Sequence, residues 1–147
     1  MSQATHLPPE VSGTERCVLR GEYPALATLA NWCADLARAH QLTPRRAYAL
    51  DLCLTELVTN VIDYAYPAAD PAHIVVDAQP AEGDLVVTLW DAGPAFNPLE
   101  HAVPTPAADL SEVRIGGLGI DLVRKFASQI SYARIGDWNR LRFTPNG

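Results

Sequence analysis

Glu56 and Asn60 stand four residues apart in the run Thr55-Glu56-Leu57-Val58-Thr59-Asn60-Val61-Ile62-Asp63-Tyr64, and Asp63 follows seven residues after Glu56. On a helix, positions four and seven apart share a face, so a carboxylate, an amide and a second carboxylate would project together. A carboxylate can take a proton, and an amide oxygen can ligate a hard cation. The ordinary reading of such spacing is a polar stripe turned to water. Here the surrounding text is apolar and leaves little of the helix to face solvent, and buried carboxylates and amides are costly unless paired or used.

Two further blocks carry possible chemistry. Trp90-Asp91-Ala92-Gly93-Pro94 directly follows an apolar strand-like run. An Asp at a strand end, with Gly two residues on, can point its carboxylate into a cleft while the chain turns away, although Asp-x-Gly alone is also a common turn. Arg114-Ile115-Gly116-Gly117-Leu118-Gly119-Ile120 leads straight into a helical pattern. Glycines there let backbone approach an anion, and free amides at a helix start supply donors and a favourable dipole. Loop flexibility explains such a turn as well. No Gly-Lys-Ser/Thr follows it, so it is not a P-loop, and no strand directly precedes it, so it is not a dinucleotide fingerprint.

The elements that must position these blocks are legible from periodicity. Residues 16–20 alternate as a first strand, and Leu26, Leu29, Ala30, Cys33, Leu36 and Ala37 recur at helical spacing up to His40. Thr43-Pro44 reads as an N-cap and first turn of a second, mostly buried helix that ends before Tyr66-Pro67. Residues 74–78 and 85–90, separated by Ala81-Glu82-Gly83-Asp84, read as a hairpin. Residues 91–117 are rich in proline and small residues, with at most one helical turn near 109–113, and form a long loop of the kind used as a lid. A third helix then runs through Ile120, Leu122, Val123, Phe126 and Ala127, followed by strands at 130–134 and 140–143. The expected fold is an α/β (α+β) sandwich: a mixed, mainly antiparallel sheet with helices on one face. Residues 1–14 read as a flexible tail and 15–147 as one domain with a lid at about 97–116.

In order, these blocks are an acidic helix, a strand-end Asp-x-Gly, a proline-rich loop and a Gly-rich helix start. That order resembles the GHKL superfamily of ATP-binding domains, most closely its anti-sigma-factor serine/threonine kinase branch, from about residue 16 to 143. Glu56-x-x-x-Asn60 is similar to the N-box, Asp91-x-Gly93 to the first glycine box, and Gly116-Gly117-Leu118-Gly119 to the second. The closing Asn139-Arg140-Leu141-Arg142-Phe143 is similar to the last strand of that branch.

The resemblance implies ATP and Mg²⁺ as ligands, with Glu56 as general base and Asn60 as metal ligand. It implies that Asp91 accepts a hydrogen bond from the adenine amino group, that Gly117, Leu118 and Gly119 line the phosphates, and that Asp63 and Gly93 belong to the nucleotide site. It further implies an anti-anti-sigma-type regulator as substrate, and it allows a sigma factor and a homodimer as further associations. Ala92, Ala95, Tyr64 and Ile115 depart from what close relatives often carry. A nucleotide-gated module that sequesters a partner without phosphorylating it is the alternative from another functional class.

Composition narrows the remaining classes. Eleven Lys and Arg against 17 Asp and Glu give a net charge of -6 over 147 residues, against a general nucleic-acid binder. There is no apolar run long enough to span a membrane and no signal-like start, so a cytoplasmic location is expected. Cys17, Cys33 and Cys53 are widely spaced among apolar neighbours and read as reduced core thiols. The four histidines lack metal-ligand spacing, and the serines lack a nucleophile-elbow context.

Overall fold

Strand alternation and two tight turns build the sheet. In the computed structural model, which describes residues 7–64, 73–100 and 117–146, the first strand β1 spans Glu15–Arg20 with Cys17 and Leu19 turned inward. Strands β2 (His73–Ala81) and β3 (Asp84–Asp91) form the expected hairpin. Its two-residue turn places Glu82 and Gly83 at φ 53° and 83°, the positive-φ pair that matches the twist of a hairpin. Strands β4 (Ala127–Ile135) and β5 (Trp138–Pro145) form a second hairpin.

The sheet order is β1-β2-β3-β5-β4, and every pairing is antiparallel. The central pair β3–β5 sets Val87 opposite Phe143, Leu89 opposite Leu141 and Asp91 opposite Asn139. That register matters for the site below.

The helices supply the other layer. Helix α1 (Ala25–Ala39) buries Leu29, Cys33 and Leu36, and helix α2 (Pro44–Tyr64) buries a face from Ala49 to Ile62. Helix α3 spans Gly117–Phe126. α2 packs between α1 and α3, and one core joins helix residues such as Leu50, Leu54 and Val123 to Ile74, Val76, Val87 and Phe143 of the sheet. Cys17, Cys33 and Cys53 are buried and unpaired, and burial pushes the Cys33 and Cys53 thiols up to about 12, which makes them packing groups and not nucleophiles.

Strands β2, β4 and β5 run longer than expected, and both ends of the third helix differ. The third helix starts at Gly117, so Gly117 to Gly119 form its first turn and do not precede it. It also ends at Phe126, one residue early, because the Asn146 amide donates to the Phe126 carbonyl at 2.8 Å and Ala127 passes directly into β4. Of the segment 97–116, Asn97 and a 3-10 turn at Pro98–Glu100 are described. The rest, with the turn expected near 109–113, lies outside the described residues.

Residues 7–14 form neither helix nor strand, yet Pro8 is buried and its carbonyl accepts from Arg16 Nη1 at 2.6 Å. Arg16 also grips Asp77 through two bonds of 2.7 and 2.9 Å, and Trp90 donates to the same carboxylate at 3.2 Å.

Thr43 caps α2 as its sequence implies: Oγ1 accepts from the Arg46 amide at 3.2 Å. Thr43→Ala is expected to destabilise the protein by about 1 kcal/mol, the usual worth of a lost N-cap. Urea denaturation measures it, and an unchanged midpoint would mean that water caps the helix equally well.

Candidate functional site

Strand parity puts a carboxylate where only apolar groups are expected. Leu85, Val87, Leu89 and Asp91 share one face of β3, and the first three lie in the core between sheet and helices. Asp91 therefore enters the helix side of the sheet at the strand end, 8% exposed. Its Oδ1 accepts from the Gly93 amide at 2.9 Å, which closes the turn, and from Asn139 Nδ2 at 3.0 Å. Burial raises the Asp91 carboxyl above its ordinary value, opposed by those two hydrogen bonds and by the charge of Arg134.

Asn139 is a site residue to which sequence reasoning gave no role. It shares a face of β5 with Leu141 and Phe143, so a polar residue in phase with core positions was the available signal. Beyond Asp91, its Nδ2 donates to the Pro94 carbonyl at 2.9 Å and its Oδ1 accepts from the Phe96 amide at 3.2 Å. Arg134 adds a bond from Nη1 to the Gly93 carbonyl at 2.8 Å. The turn after Asp91 is thus fastened to the β4–β5 hairpin.

The second group sits where α2 meets α3. Glu56 and Asn60 are partly buried, and Gly119 of α3 lies directly against them. A Cβ added at Gly119 would fall 2.9 Å from Glu56 Oε1 and 3.6 Å from Asn60 Nδ2. Any larger residue would displace the Glu56 carboxylate, so glycine here serves close approach. The first-turn amides of a helix have no intrahelical partner, and Gly119, in the first turn of α3, is the residue set against this carboxylate–amide pair.

Glu56, Asn60 and Gly119 are therefore brought together, with Gly117 and Leu118 on the same helical turn, while Asp91 and Gly93 are fixed at the end of β3. Asp63 is engaged elsewhere: at the exposed end of α2 its carboxylate accepts from the Tyr23 hydroxyl.

Among the described residues no cluster of three or more His, Cys, Asp or Glu could hold a metal alone. Magnesium suits one or two protein oxygen ligands completed by phosphate oxygens and water. The narrow cradle of Glu56, Asn60 and a helix start where a Cβ would push the Glu56 carboxylate aside fits that donor pattern.

Residues 20–144 match the family described as Histidine kinase-like ATPase domain. The chain belongs to the histidine kinase-like ATPase family. It is 28% identical over 113 residues to the serine/threonine-protein kinase BtrW of Bordetella bronchiseptica, covering 77% of this chain and 80% of that protein. Its fold is similar to the crystal structure of the RsbU and RsbW domains of Rv1364c from Mycobacterium tuberculosis, with a TM-score of 0.65 and 13% identity. That match covers 90% of this chain and 32% of the larger one, so this chain spans about a third of its length.

The sheet with helices on one face, expected from the order of strands and helices as mixed and mainly antiparallel, is the architecture of this histidine kinase-like ATPase domain, and every strand pairing among the described residues is antiparallel. Among its described residues no helix is long and apolar enough to cross a membrane.

Proposed function

We propose that this domain is a Mg-ATP-dependent protein serine/threonine kinase of the anti-sigma-factor type, transferring the γ-phosphoryl group of ATP to a hydroxyl of an anti-anti-sigma-type regulator. The observation that carries this reading is the contact of Gly119 with Glu56 and Asn60, which joins a carboxylate, an amide and a helix start in one cradle. The kinship with a protein named as a serine/threonine kinase supports it.

In this reading Asp91 accepts the exocyclic amine of adenine, and the first-turn amides of α3 at Gly117 to Gly119 donate to phosphate oxygens. Asn60 would hold Mg²⁺, which supplies charge neutralisation across the phosphates. Glu56 accepts the proton of the attacking hydroxyl as its oxygen bonds to γ-phosphorus, and the bond from phosphorus to the bridging oxygen breaks to release ADP. A carboxylate suits a hydroxyl acceptor, which must lose a proton to attack.

The direct test mixes the protein, labelled ATP, magnesium and candidate regulators. Label on a regulator serine or threonine is expected. Nucleotide-dependent binding of a regulator with no transfer of label would leave a partner-sequestering module in place of a kinase.

A further inference from the structure

Asn139 and Asp91 face each other across β5 and β3, both almost fully buried, at 5% and 8% exposure. A carboxamide has two N–H donors and one oxygen with two lone pairs, and the surroundings of Asn139 use all of them. Nδ2 faces three acceptors: Asp91 Oδ1 at 3.0 Å, the Pro94 carbonyl at 2.9 Å and the Gly93 carbonyl at 3.4 Å. Oδ1 faces two donors, the Phe96 amide at 3.2 Å and the Tyr132 hydroxyl. The reverse orientation of the amide would set its oxygen against a carboxylate and two carbonyls, so only one orientation is satisfied.

The consequence falls on Asp91. Its Oδ1 is occupied by Gly93 N–H and Asn139 N–H, while among the described residues no donor is bonded to Oδ2. A free carboxylate at a strand end could rotate and exchange its oxygens. Held from one side by Asn139 and Gly93, it presents one defined oxygen, and the turn from Gly93 to Phe96 is fixed by the same amide.

We propose that Asn139 is a positioning residue for base recognition, which locks Asp91 so that Oδ2 is aimed at the exocyclic amine of a bound adenine nucleotide. This rests on the assignment of Asp91 to the adenine base made above. Neither an aspartate, whose oxygens would repel Asp91, nor a serine, which is too short to reach Asp91, Pro94 and Phe96 together, can replace the carboxamide.

The test compares two nucleotides by calorimetry in the presence of magnesium: ADP, and purine riboside 5′-diphosphate, which lacks the amine. Wild-type protein is expected to prefer ADP by about tenfold or more, the worth of a hydrogen bond to a charged group. Asn139→Ala is expected to lose most of that preference by weakening ADP, with the purine analogue changed little. Should Asn139→Ala fail to fold, Tyr132→Phe carries the same comparison, because it removes one donor that holds the amide, and a several-fold smaller ADP preference is expected.

A variant that weakens both nucleotides equally would make Asn139 a purely structural residue and overturn the proposal. A variant that keeps the full ADP preference would also overturn it, while leaving the adenine assignment standing. A wild-type protein indifferent to the amine would overturn both.

Discussion

Glu56→Gln is expected to bind Mg-ATP and the regulator as the wild type does while transferring phosphate about 10²–10⁴-fold more slowly, the usual worth of a general base. The substitution keeps the size of the side chain that lies against Gly119 and removes only its capacity to take a proton. Single-turnover transfer from preformed nucleotide complex separates this effect from binding. Gly119→Ala provides an independent route to the same group. Its Cβ would come 2.9 Å from Glu56 Oε1, the far end of a flexible side chain, so the fold should tolerate it while the carboxylate moves and transfer slows. If Glu56→Gln transfers at the wild-type rate, Glu56 is not the base.

Asp91→Asn is expected to weaken ADP by about 1.5–3 kcal/mol, roughly 10- to 150-fold, by exchanging a charge-assisted acceptor for a neutral amide. It should have the opposite effect on stability. The folded-state pKa of Asp91 is raised by burial, so the stabilisation that this group gives is present below the ordinary carboxylate range and lost as pH rises through the raised folded value. At neutral pH the ionised carboxylate therefore costs the fold something, and Asn removes that cost while its Oδ1 still accepts from Gly93 and Asn139. The nucleotide-free variant should melt at or above the wild type at pH 7.5, and its advantage should shrink as pH falls toward the ordinary carboxylate pKa. Thermal melts at several pH values check this. A variant that binds ADP normally, or one less stable at neutral pH than at acid pH relative to wild type, would contradict the burial of a working carboxylate.

Much of this was legible in the sequence because periodicity and capping are local. Thr43-Pro44 named the start of α2, and the two strand-like runs at 74–78 and 85–90 with the turn-rich Ala81-Glu82-Gly83-Asp84 between them named the β2–β3 hairpin. Glu56 and Asn60 were placed on one face by spacing alone, and the structure adds what spacing cannot: that Gly119, more than fifty residues later, lies against both. The role of Asn139 was hidden for the same reason. Its partners, Asp91, Pro94 and Phe96, lie more than forty residues away and reach it only through the β3–β5 register. Asp63 shows the converse limit, since its helical phase matches Glu56 but a tyrosine distant in sequence, Tyr23, takes its carboxylate. The early end of α3 was likewise decided by a distant group, the amide of Asn146.

The claim that these separated blocks form one nucleotide site is tested most directly by titrating the folded protein with ADP and magnesium in a calorimeter, alongside a thermal melt. One nucleotide should bind per chain, and ligand at about 100 times its dissociation constant should add roughly 2.7 kcal/mol of stability. No heat of binding, together with a melt unmoved by millimolar Mg-ADP, would contradict it.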